Sequence, residues 1–216
     1  MFRFLVPLFA CFLYTSAGDV DVIQFLNDMS IDEGIACLEE HSKLLECVEP
    51  HKVLINHVAS TYDPSIFYNI GFMRKGLQIL QNVTECLGRD LECKHTKFLL
   101  FTLDTVDFAG EKVYGDAFHC FINANAIDFI NSMPETGMLT EQEQRDVFTN
   151  PLIYRRFKSL FSDYVARKLY PTSSCTIGRV VDLYKAGSAA LDWYYVSVHV
   201  QNGFPMDLEF DALKYC

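Results

Sequence analysis

Several signatures are missing from this chain, and each absence narrows what it does. No run after the first eighteen residues approaches the ~20 apolar residues that a membrane-spanning helix needs. The longest candidate, Phe98 to Phe101, is interrupted at once by Thr102 and Asp104. An excess of basic residues is also missing. Eighteen Lys and Arg face 28 Asp and Glu, for a net charge of −10. An acidic chain repels phosphate backbones, so nucleic acid and anionic membrane surfaces are poor partners. The six histidines contain no HExxH. Nor is there a GxSxG elbow, a phosphate-cradling glycine loop or an aligned EF-hand loop. There is no internal repeat and no low-complexity segment. These absences leave no recognisable catalytic, cofactor-binding or metal-binding constellation.

What is present begins with a leader. Arg3 gives a positive start, Phe4 to Tyr14 is an apolar run, and Thr15, Ser16, Ala17 and Gly18 supply small residues for cleavage. That pattern predicts a signal peptide over 1–18 and a mature secreted chain over 19–216. About 198 residues suffice for a single domain with a sizeable core. Half of the residues are apolar, which argues against disorder.

Cysteine usage fits the same compartment. Cys11 leaves with the leader. Cys37, Cys47, Cys86, Cys93, Cys120, Cys175 and Cys216 remain and read as a disulfide framework. Their odd number leaves at least one thiol unpaired or joined to another chain, as in a disulfide-linked dimer. Composition alone allows about 105 arrangements. Cys37 and Cys47 lie on one predicted helix, ~15 Å apart along its axis and ~80° apart around it. Disulfides need Cα atoms within ~7 Å. These two therefore reach different neighbours. Cys86 and Cys93 flank a turn at Gly88, where a helical hairpin can bring them together. Cys216 ends a turn-rich tail, and its expected role is to staple that tail to the core while an inner cysteine such as Cys120 stays reduced.

Periodicity predicts helices throughout. Asp19 to Met29 is a short apolar-periodic segment. Ser30 to Glu33 fits a capping box, opening a helix to about Val48 with Ile31, Ile35, Leu38 and Leu45 inward. Pro50 ends it. Asp63-Pro64 starts a helix that buries Phe67, Ile70, Met73, Leu77 and Leu80 and stops at Gly88. Asp90 caps the apolar helix carrying Phe98, Leu99, Phe101 and Leu103. Gly110 and Gly115 loosen the next connection, before a helix with Phe118, Phe121, Ile122, Ile127 and Ile130. Met133 to Leu139 reads as a loop. Thr140 to Glu143 is a second capping box. Asn150-Pro151 opens a helix with Ile153, Phe157, Leu160, Phe161 and Val165. Ser173 or Ser174 caps the last long helix, with Ile177, Val180, Val181, Tyr184, Leu191 and Trp193. The β-branched and aromatic end, Tyr194 to Val198, fits a helix poorly. The architecture is thus all-α, a disulfide-linked bundle of about seven or eight helices.

The chemistry-bearing groups are sparse. Cys86, Cys93 and His95 lack the paired close spacing of a zinc site. His119 beside Cys120 resembles a nucleophile pair, but a half-cystine explains the cysteine better. Asp104 and Asp107 share a helix face and read as solvated acids. The aromatic faces (Phe98, Phe101, Phe118, Phe121, Phe157, Phe161) read as core, with a greasy ligand cavity as the alternative. Asn82-Val83-Thr84 is a glycosylation sequon. Asn82 lies about 140° from Leu77 and about 200° from Leu80, on the outward side of its helix.

Several of these features together resemble the nematode-rich family of secreted cysteine-rich domains called domain of unknown function nineteen. They are Cys37-Leu38, Leu45-Glu46-Cys47, Cys86 with Cys93, Gly115-Asp116-Ala117-Phe118-His119-Cys120, and Ser174-Cys175 before a helix with Trp193. The resemblance covers about residues 35 to 195. The chain departs near Val106 and Tyr184, where such domains tend to carry further cysteines. The resemblance implies a secreted helical domain and supplies no catalytic residues. The expected function is non-catalytic binding to an extracellular protein partner. The alternatives are a carrier of a lipid or other hydrophobic small molecule, and a secreted enzyme with scattered catalytic residues. No cofactor and no metal is expected.

Overall fold

The computed structural model describes residues 35–54, 66, 68–123, 139–169 and 175–215. The leader, the 19–29 segment, the Ser30 capping box, Asp63-Pro64, Ile127 and Ile130, the 133–138 loop, Ser173, Ser174 and Cys216 lie outside the described residues. Among the described residues the chain is all-α, without a strand. Five helices are long: α1 Ile35–Val48, α2 Ile70–Leu87, α3 Lys94–Tyr114, α6 Pro151–Leu169 and α7 Ile177–Gln201. Two, α4 Phe118–Asn123 and α5 Glu141–Asp146, have six residues each. The all-α class therefore holds among the described residues. The short pieces are single stops on the path, cut off by Gly115 on one side and by Asn150-Pro151 on the other.

The chain divides into two compact units. Of the described residues, one unit comprises those up to 107 with 208–210, and the other those from 108 to 207 with 211–215.

In the first unit, α2 shows why its sequence winds. Met73, Leu77, Leu80, Val83 and Leu87 are buried at helical spacing. It starts at Ile70, where the Asn69 side chain accepts from the Phe72 N–H at 3.0 Å. Its end is at Gly88, whose φ of 77° only glycine adopts freely. Helix α1 packs on α2. Its inward residues are Leu44 and Cys47, 2% and 4% exposed, whereas Leu38 is 53% exposed. The expected inward stripe through Leu38 and Leu45 is thus rotated. Two disulfides, Cys37–Cys93 and Cys47–Cys86, set the rotation.

The start of α3 corrects another expectation. Asp90 does not cap it. Glu40 of α1 does, accepting from the Glu92 N–H at 2.5 Å and the Cys93 N–H at 3.3 Å. The Thr96 hydroxyl also donates to Glu40. Helix α3 then runs through Gly110 to Tyr114, so only Gly115 interrupts it. A Cβ at Gly115 would stand 2.7 Å from the Glu111 carbonyl oxygen, which explains the glycine there.

In the second unit, α6 packs on α7. Its core joins Ala117, Cys120, Leu139, Val147, Tyr154, Phe157, Phe161, Cys175, Val180, Leu183 and Leu191. The Thr140–Glu143 capping box forms in full. Asn150 caps α6, accepting from the Leu152 N–H at 3.0 Å, with Pro151 at the first helical position. Helix α7 begins at Ile177 after Thr176, which makes no side-chain cap. It runs on to Gln201, through the β-branched and aromatic stretch. Burial of Val196 and Ser197 overrides the poor local propensity there.

Candidate functional site

The most concentrated buried chemistry lies in the second unit, around Asp192. Helix α7 carries this carboxylate at 6% exposure. Helix α6 places Tyr154 and Lys158 one turn apart on the same face. The Tyr154 hydroxyl donates to Asp192 Oδ1 at 2.5 Å. Lys158 Nζ donates to Oδ2 at 2.6 Å. The third contributor is the C-terminal 3₁₀ helix, Ala212–Tyr215. Its Tyr215 hydroxyl donates to Oδ2 at 2.9 Å, and Lys214 Nζ lies 3.4 Å from the same oxygen. Rings line the cluster. Tyr154 stacks on Tyr195 at 4.3 Å, Lys158 Nζ sits 5.3 Å above the Tyr215 ring, and Phe108 packs on Tyr215 at 5.3 Å.

The electrostatics follow from this placement. Burial by itself pushes the Asp192 carboxyl up. The hydrogen bonds from Lys158 and Tyr154 and the charges of Lys158 and Lys214 outweigh it, leaving the carboxyl below its usual range. Burial first, and then the Asp192 charge, pushes the Tyr154 and Tyr215 phenols well above theirs. Chemically, the arrangement is a carboxylate with both oxygens engaged by donors from two other elements. It holds the C-terminal 3₁₀ helix on α7.

Sequence reasoning missed this cluster. A signal for Asp192 existed: between Ala186 and Val198 it is the one charged residue in an otherwise apolar or small-residue stretch. A lone acid there must find partners or be expelled. Nothing local marked Tyr154 or Tyr215.

The residues singled out from the sequence are placed as follows. Cys120 pairs with Cys175, with Cα atoms 4.9 Å apart. It is neither a reduced inner thiol nor a nucleophile beside His119, because its sulfur is already bonded. Cys86 and Cys93 do not pair with each other; each bonds to α1. The zinc reading with His95 fails for the same reason, since neither sulfur is a free thiolate. Those six cysteines are paired with one another, so none of the six is left to staple Cys216. Asp104 and Asp107 are not merely solvated acids. Arg89 donates to both Asp104 oxygens at 2.7 and 3.0 Å, and Gln81 donates to Asp107 at 3.0 Å. Phe101, Phe118, Phe157 and Phe161 are core residues. Asn82 is exposed on α2. No helix among the described residues is long and apolar enough to cross a membrane.

No family model matches the chain, and no curated protein or solved structure matches it either.

Proposed function

We propose that this chain is a secreted helical protein that acts by binding an extracellular protein partner. The observation that carries the reading is the disulfide bracing of both units: Cys37–Cys93 and Cys47–Cys86 in one, Cys120–Cys175 in the other. Such bonds persist in oxidising compartments, and reducing cytosols remove them. The leader pattern over 1–18 supports the same compartment, as does the likeness in cysteine spacing to domain of unknown function nineteen. The Asp192 cluster supports binding over catalysis, because its donors and acceptor are spent on holding the C-terminal segment.

The test is performed on the protein collected from the medium of cells that express the full chain. Expected are an N-terminus at Gly18 or Asp19, saturable binding to a cell-surface or matrix protein that unlabelled protein competes away, and a native mass equal to the polypeptide plus any glycan. A co-purifying lipid would replace the reading with a carrier. Robust turnover of a lipid, peptide or glycan substrate would replace it with an enzyme.

A further inference from the structure

We propose that Asn82 carries an N-linked oligosaccharide, and that it is added before α2 winds. This rests on the secretory reading above. Asn82-Val83-Thr84 has the acceptor sequence, and the structure adds two observations about it.

The first is where a glycan would stand. Helix α2 buries Met73, Leu77, Leu80, Val83 and Leu87. Its outward stripe is Lys75, Gln78, Asn82 and Glu85, all exposed. That stripe is wholly polar, and Gln78 Nε2 donates to Asn82 Oδ1 at 3.2 Å along it. A bulky, hydrated sugar there displaces no packing. It also covers the stripe, so protein partners dock on other surfaces.

The second is that the folded helix hides the acceptor from the transfer reaction. In the reaction, Asn82 Nδ2 forms a bond to the anomeric carbon of a lipid-pyrophosphate-linked oligosaccharide. The bond from that carbon to the pyrophosphate oxygen breaks, the lipid pyrophosphate leaves with the electron pair, and the amide loses a proton to a base of the transferase. The hydroxyl two residues on assists, which requires it to reach the asparagine amide, as it does in turn and extended backbones. In α2, Thr84 lies about 200° around the axis from Asn82. Val83 between them is 3% exposed. The Cys47–Cys86 disulfide then pins the helix four residues downstream. Only an unwound α2 presents both groups together.

Two measurements decide it. Purified full-length chain is offered to solubilised oligosaccharyl transferase with lipid-linked donor, once oxidised and folded and once reduced and alkylated. The unfolded chain is expected to gain the glycan at Asn82 faster by roughly tenfold or more, since a core helix opens only by unfolding. Thr84→Ala and Asn82→Gln abolish the gain. Equal rates overturn the order of events, and no modification of either form overturns the site. In secreting cells, the Asn82 peptide from the medium is expected to carry the glycan mass. Secreted protein with an unmodified Asn82 overturns this inference alone, whereas retention of the chain in the cytosol overturns the secretory reading as well.

Discussion

A carboxylate at 6% exposure loses most of its hydration, and Asp192 is held there by four groups that replace water. Deleting one member of a buried charged network costs more than its net worth, because the remaining members are stranded. Asp192→Ala leaves Lys158 without its counter-ion and two phenols without their acceptor. The expected loss is ~3 kcal/mol, below the upper range for buried pairs because Lys158 and Lys214 keep solvent contact. Urea unfolding followed by far-UV circular dichroism measures it, and a midpoint equal to wild type would refute the assignment. The same cluster sets a pH window. The folded Asp192 carboxyl is depressed, so its stabilisation is present above the unfolded value of about 4 and is lost as pH falls through the lower folded value. The phenols of Tyr154 and Tyr215 are raised, so their contribution is complete below about 10 and declines as pH climbs beyond. Wild-type stability should therefore fall at both ends. Asp192→Asn should flatten the acid limb, and phenolate absorbance should show two tyrosines that ionise only on unfolding.

Helices α6 and α7 meet where α7 has no side chain. A Cβ on Gly187 would stand 2.6 Å from Cζ and 3.0 Å from Cε1 of Phe161, a ring that is itself 3% exposed. A buried ring cannot swing away without moving its neighbours, so Gly187→Ala should destabilise by ~1–3 kcal/mol despite the better helix propensity of alanine. Adding Phe161→Leu makes room. The double variant should lose less than the two single losses combined, as a double-mutant cycle in thermal or urea unfolding reports. Additive losses would mean that the ring and the glycine do not meet. Elements of this kind divide the legible from the illegible in the sequence. The buried stripe of α2, the glycine that ends it, the Thr140–Glu143 box and the Asn150-Pro151 start were all legible, because each signal acts within a few residues. The rotation of α1 and the cap of α3 were not. One is fixed by half-cystines whose partners are 39 and 56 residues away, and the other by Glu40 reaching 52 residues along the chain. The Asp192 cluster spans three elements, with partners 38, 34 and 23 residues from the carboxylate, so no window on the sequence contains it.

At the scale of the molecule, the disulfides form a nested pair and a separate loop. Cys47–Cys86 lies inside Cys37–Cys93, and Cys120–Cys175 closes a span of 55 residues in the second unit. The nesting explains how α1 stays on the α2–α3 turn: it is bonded on both sides of that turn. In the chain-entropy picture, a loop of that size in the second unit is worth ~4 kcal/mol, by restricting the unfolded chain. Replacing Cys120 and Cys175 together by serine should cost about that much. Cys216→Ser should shift the unfolding midpoint little, because the six cysteines that might have stapled it are already bonded to each other. The pairing is tested directly by alkylating the mature protein in denaturant without reductant, then digesting it. In the monomer fraction the label should fall on Cys216 and on none of the other six. Three cross-linked peptide pairs, 37 with 93, 47 with 86 and 120 with 175, should appear. Any disulfide-linked dimer should then vanish with Cys216→Ser. Label on Cys120 or Cys175, or a peptide joining Cys216 to either, would restore the stapled tail and remove the bond that closes the second unit.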